Sequence, residues 1–171
     1  LLTVAKNAKI QVEFNDEVVN QYRLAGYENR KVKDDDFRDD DVDAGEVGAG
    51  HSVTALYELE LNEAEFANDA VVATVHLRWE EPGTGEVIEI NHDMTICEIA
   101  PNFEEANPSL QLAAIVATYA EILRQTEYAE GIWLGDVADE LARIRPLLEE
   151  SGPDSQIGEL ENLMLLVTSM L

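Results

Sequence analysis

The sequence predicts an α+β fold: an antiparallel, sandwich-like β sheet over residues 1–100, followed by a unit of about three helices over residues 101–171. Three observations predict it. In the first half apolar residues alternate with polar ones, the period of a half-buried strand. From about residue 104 the apolar spacing changes to three and four, the period of an amphipathic helix. The strand candidates are joined by short turns, which favours antiparallel neighbours over parallel crossovers.

Ile10, Val12 and Phe14 alternate with Gln11 and Glu13, and Asn15-Asp16 reads as the turn that follows. Val19 to Tyr27 is a second strand candidate with poorer alternation. Lys33 to Gly50 is rich in Asp and Gly and carries neither pattern. From Val53 to Leu61, Val53, Ala55, Tyr57, Leu59 and Leu61 are expected on one face of a strand. Val71, Ala73, Val75, Leu77 and Trp79 alternate in the same way. The turn sequence Glu81-Pro82-Gly83-Thr84-Gly85 follows, then Val87, Ile88 and Ile90, so this stretch reads as a hairpin.

Asn107 before Pro108 opens the helical half, a capping side chain followed by a ring already set for the first turn. Leu112, Val116, Tyr119 and Leu123 form the expected core stripe of that helix, and Gly131 is expected to end the stretch. Asp136 is the expected cap of a second helix carrying Val137, Leu141, Ile144 and Leu148, which Pro146 is expected to kink or split. Ile157, Leu160, Met164, Val167 and Leu171 mark a third. These stripes read as core rather than as partner-binding surface.

The charge balance excludes several functions. The 171 residues include 36 acidic and 11 basic ones, a formal net charge of −25. Such a chain repels phosphate backbones and anionic lipid surfaces, so no nucleic-acid partner is expected. No apolar run approaches the ~20 residues of a membrane span, so no direct membrane insertion is expected. The acidity reads as a device for solubility in high salt, where repulsion is screened; collection of divalent cations is the alternative. The chain opens on Leu1 with no signal-peptide pattern, which reads as a piece of a longer or processed protein. The single cysteine, Cys97, excludes an internal disulfide and reads as a small buried hydrophobe within Thr95–Ile99.

The densest cluster of potential ligands is the acidic loop of residues 34–46. Asp39, Asp41 and Asp43 match the first three ligand positions of an EF-hand, and Glu46 adds a carboxylate. Ala44 stands where the turn glycine belongs and Gly50 where the bidentate Glu belongs, so the loop is not an EF-hand. A solvated acidic loop is expected, with a calcium-binding module as the alternative. His76 and His92 lie on the two arms of the hairpin as possible neighbours, but structural histidines are expected, as for His51. No G-x-S-x-G, S-x-x-K or H-E-x-x-H motif occurs. Ser52 beside His51 cannot pair with it on a strand, where adjacent side chains diverge. Gly45 to Gly50 lacks the Lys-Ser/Thr of a phosphate loop. The expectation is therefore no catalytic residue and no cofactor of its own, leaving a hydrolase with an unrecognised site as a distant alternative.

Several longer motifs stand in order along the chain: Ala8 to Phe14 (AKIQVEF), Tyr22 to Arg30 (YRLAGYENR), Asp36-Phe37, and Asp43 to Glu58 (DAGEVGAGHSVTALYE). Together they resemble the region that follows the von Willebrand factor type A domain in YfbK-type bacterial proteins. The helical tail, with Leu123-Arg124 and Tyr128, is similar more loosely. The resemblance implies a parent protein exported to the periplasm or cell envelope. It also implies that the divalent metal of that parent belongs to an upstream type A domain, because the Asp-x-Ser-x-Ser signature of its adhesion site does not occur in these residues. It carries over no catalytic residue. The motif residues Tyr22, Arg23, Tyr27, Asn29, Arg30, Glu46 and His51 read as structural, with Arg23 or Arg30 pairing an acid in the loop; a binding surface is the alternative. The expected partners are the adjacent type A domain of the same chain and an unknown protein, and the expected role is support of protein–protein contact or adhesion.

Overall fold

A computed structural model describes residues 2–26, 37–39, 42, 44–148 and 154–168. The chain forms two compact units, Leu1–Ile99 and Ala100–Leu171. The fold class is the expected one, antiparallel sheets followed by three helices.

The first unit contains β1 (Thr3–Phe14), β2 (Val19–Leu24), β3 (Gly45–Gly48), β4 (Tyr57–Leu61), β5 (Val71–Glu80) and β6 (Val87–Thr95). Four strands form one sheet in the order β3-β1-β5-β6, and β2 and β4 form a second. All the pairings are antiparallel. The β5–β6 hairpin is the one the alternation predicts. Its turn is closed by Glu81 N–H to Glu86 O at 2.9 Å and Gly85 N–H to Glu81 O at 2.8 Å. Gly85 takes a φ of +71°, a conformation that L side chains adopt only with strain.

Three boundaries differ from the sequence reading. β3 lies in a segment expected to carry no strand. Val47 is its one large apolar side chain, and it forms as an edge strand because β1 offers a ladder, with Ala5 opposite Val47. β4 begins at Tyr57 rather than Val53, and Val53 is 90% exposed. β2 stops at Leu24, followed by Gly26 at φ +92°; Tyr27 lies outside the described residues. Cys97 is exposed, not buried: the chain leaves β6 into a 3-10 turn at Ile96–Glu98, and membership of an apolar run does not bury a side chain there.

The core of this unit is small. Val18, Val19 and Val72 are buried, with Phe14, Leu59, Phe66, Ala70 and Ile96 packed round them. The Phe14 ring meets Tyr22 at 4.1 Å and Tyr57 at 5.2 Å between centroids, which fastens the two-stranded sheet to the end of β1.

The second unit contains α1 (Pro108–Arg124), α2 (Leu134–Leu148) and α3 (Asp154–Thr168), with α2 packed against both others. The Asn107 side chain accepts from Ser109 N–H at 2.9 Å, and Pro108 fills the first turn, as its sequence predicts. The helix ends earlier than expected, at Gln125 in a left-handed conformation, not at Gly131. α2 starts at Leu134, so Asp136 lies in its first turn rather than at the cap. Pro146 falls in the last turn of α2, and the helix runs through to Leu148 without dividing. Leu141, Ile144 and Met164 are fully buried, joined by Ile115, Tyr119, Leu134, Val137 and Leu148. Leu160, Ile157 and Val167 pack against this core; Leu171 lies outside the described residues. The core stripe of α1 is Leu112, Ile115, Tyr119 and Ile122, whereas Val116 and Leu123 are exposed. One residue of offset turns a helix by about 100°. Because α1 is apolar round most of its circumference, spacing alone does not choose the stripe.

Candidate functional site

The register of the four-stranded sheet sorts its side chains into two unlike faces, since paired residues on adjacent antiparallel strands share a face. One face is built from charged and polar rows: Lys9, Arg78 and Glu89; Gln11, His76 and Asn91; Glu13, Thr74 and Asp93. Thr74 donates to Asp93 at 2.7 Å, His76 Nε2 lies 3.6 Å from Glu13, and Arg78 lies 3.5 Å from Glu89.

The described part of the acidic segment lies over this face. Phe37 is buried and stands edge-on to the His76 ring at 6.2 Å. Arg38 donates to Glu89, with Nη2 at 2.8 Å. Lys9 is 95% buried by its 5% exposure, and its ammonium donates to the backbone oxygen of Asp39 at 2.5 Å. The Glu89 carboxyl is held below the ordinary carboxylate range, first by its hydrogen bond from Arg38 and then by the charges of Arg38, Arg78 and His76. The segment is therefore fastened by an aromatic anchor and by some of the few cations of a strongly acidic chain. An ammonium under the loop also opposes a second cation at that point.

The opposite face carries Ile10, Leu77 and Ile90 in one row, Val12, Val75 and His92 in the next, and Trp79 paired with Ile88. Ile10 is 56% and Ile90 51% exposed. His76 and His92 thus lie on opposite faces and are not neighbours: His92 approaches Glu98 at 3.7 Å.

Of the proposed metal set, Asp39 and Glu46 are described and Asp41 and Asp43 lie outside the described residues. Thr3 donates to Glu46 across the β1–β3 edge at 3.4 Å. Among the described residues no three His, Cys, Asp or Glu side chains gather closely enough to hold a metal ion. Of the motif residues, Tyr27, Asn29 and Arg30 lie outside the described residues. Tyr22 packs on Phe14, and His51 is exposed after β3. Arg23 pairs with Glu58 directly opposite on β4, through Nε at 2.7 Å and Nη2 at 2.5 Å. Glu58 is the last residue of the longest motif, so two of the motifs meet in one bidentate ion pair.

Lys9, Phe37 and Arg38 were not singled out by their sequence as site residues. The available signal was a lone aromatic within a run of aspartates, and a lysine at a position whose neighbours in β1 alternate.

The fold defines the class: an α+β region in which an antiparallel sheet with one charged and one apolar face precedes three helices. The chain belongs to the family described as "Uncharacterized protein YfbK, C-terminal", whose model matches residues 1–168. It is 33% identical over 144 residues to the "Uncharacterized protein YfbK" of Escherichia coli strain K12, an alignment that covers 75% of this chain and 24% of the relative. The chain therefore spans about a quarter of the length of that relative. No solved structure matches it.

Proposed function

We propose that this region is a non-catalytic docking module, which packs the open row Ile10, Leu77 and Ile90 against another domain of its own parent chain. The observation that carries the reading is that row: two β-branched side chains more than half exposed, flanking a leucine on a regular sheet. Apolar rows of this kind mark interaction surfaces. The occupant follows from length, because the relative extends well beyond the 24% covered here. The resemblance to regions flanking von Willebrand factor type A domains supports such a domain as the occupant. It also supports an envelope or periplasmic setting in which the parent makes protein contacts or adheres. On the charged face, ionisable groups pair with one another and with the acidic segment, a structural use of those residues.

The test is calorimetry between residues 1–171 and the separately produced upstream part of the parent chain. Ile10→Asp with Ile90→Asp is expected to weaken that association at least tenfold. Equal affinity for the wild type and the double variant would sink the reading. Neither position contributes to the buried cores, so the double variant is expected to fold.

A further inference from the structure

The helix unit holds a second surface with its own chemistry. A cleft of about 210 Å³ opens between α1 and α2. Ala114 and Ile115 of α1, Val137 of α2 and Phe103 line it, with Asp136 and Glu140 beside them on α2. The volume is below the ~300 Å³ at which small-molecule pockets begin, and suits a single long side chain.

We propose that this cleft receives a lysine or arginine side chain from a basic segment of a partner protein. The walls and the rim ask for different halves of one residue. A long cationic side chain lays its methylenes along apolar surface while its head stays with water and anions. Here the methylenes would lie on Ala114, Ile115 and Val137, and the head would reach the two carboxylates. The Phe103 ring adds a face for a cation.

The two acids sit four residues apart, so they are neighbours on one face of α2. Like charges at that spacing oppose the helix; Arg143 offsets Glu140, and a cation at Asp136 would relieve what remains. Asp136 lies in the first turn, where the helix dipole favours a negative charge, and it is exposed. Glu140 is steadied by Arg143 at 2.7 Å, and Arg143 in turn donates to the buried Gln111 at 2.5 Å. Gln111 is fixed by its own donations to Glu104 O at 3.2 Å and Ala106 O at 2.7 Å. One wall of acid is therefore anchored into the unit before any partner arrives.

Charge selects the occupant. A second copy of this chain would bring another −25 and be repelled, whereas a basic segment is drawn in from a distance. The site lies in the helix unit and shares no residue with the open sheet row, so failure of one reading leaves the other standing.

The probe is a synthetic amphipathic helix of leucine and lysine, titrated by fluorescence anisotropy into the 171-residue chain at physiological salt. Asp136→Asn with Glu140→Gln is expected to weaken binding about tenfold. Ala114→Phe, which fills the cleft without touching charge, is expected to weaken it similarly. Glu65→Gln with Glu86→Gln removes the same charge from exposed sites in the sheet unit and is expected to change affinity by less than about twofold. The proposal is overturned if that remote pair weakens binding as much as the cleft pair, or if Ala114→Phe has no effect in a protein whose helical melting is unchanged. Should Ala114→Phe not fold, Ala114→Leu provides the smaller plug and carries the same two outcomes.

Discussion

In the helix unit Leu141, Ile144 and Met164 lose all their exposure in one contiguous core, while among the described residues of the sheet unit Val72 is the one core residue buried to that depth. The sheet unit draws its order from elsewhere. Its strands are registered by ladders over β1, β5 and β6, its charged face is stitched row by row, and a buried phenylalanine holds the acidic segment over that face. The contrast teaches how far each unit can stand alone. A helical unit that buries its apolar stripe internally gains most of its stability from packing. The sheet's apolar face is covered by its own chain at the Phe14 end, where Tyr22 and Tyr57 pack, while Ile10 and Ile90 further along it are exposed.

The largest expected effect tests the helical side of this contrast. Leu141→Ala removes a fully buried side chain at the centre of α2, and a loss of about 3–4 kcal/mol is expected. Helical melting followed by circular dichroism measures it. Trp79 reports on the sheet unit, since the other tryptophan, Trp133, can be replaced by Phe. If Trp79 fluorescence follows the helical loss degree for degree, the units are one cooperative body and the contrast is wrong.

Phe37→Ala tests the sheet side. The ring is buried against His76, and its loss is expected to cost about 3 kcal/mol, at the low end for an aromatic truncation because the ring covers a sheet face from a loop. The informative readout is local. Amide exchange near Asp39 and the His76 ring resonances should change together, while the helical melting stays where it was.

What could be read from the sequence follows the same division. The β5–β6 hairpin was legible because Val71, Ala73, Val75, Leu77 and Trp79 do alternate and a Pro/Gly turn separates the arms. Asn107-Pro108 was legible because its capping is local chemistry. β3 was not, since Gly45 to Gly48 has one large apolar side chain and exists through pairing with β1. Val116 and Leu123 were assigned to the core in place of Ile115 and Ile122 because four apolar residues on a nearly all-apolar helix give two equally good stripes. The site suffered most. Which face of the sheet is charged depends on register across three strands, and the placement of Phe37 over His76 joins positions 39 residues apart.

Arg23→Ala carries a smaller expected effect, about 1 kcal/mol. Its side chain is 18% exposed but Glu58 is 60% exposed, so solvent screens most of that pair and Glu58 stays solvated without it. Arg23→Lys is expected to recover less than half, because a point charge cannot reproduce the two-pronged contact. A Trp79 melt distinguishes the two. Full recovery by lysine would reduce the ion pair to simple proximity of charge.

The smallest effect separates two consequences of acidity that oppose each other. At pH 7 the chain carries −25 and repels itself; its isoelectric point lies near 4.1, so acidification first relieves that repulsion. Glu98 pulls the other way. Its carboxylate accepts from Thr95 N–H at 2.7 Å and Thr95 O–H at 2.8 Å, and these bonds, the backbone one foremost, hold its pKa below the ordinary value of 4.5. A carboxyl whose folded pKa is depressed favours the folded state above its unfolded pKa, and that contribution disappears as pH falls through the folded value. Low-salt melting of the sheet unit should therefore rise slightly on going from neutral pH towards the carboxylate range and then decline. In about 1 M salt, where the screening length is about 3 Å, the rise should vanish because it comes from distant charges. The decline should persist, because the Thr95–Glu98 contacts lie within that length, and Glu98→Gln should make it shallower. A decline equally steep in Glu98→Gln, or confined to the helical signal, would move the acid sensitivity out of the β6 terminus and out of the sheet unit's side of the contrast.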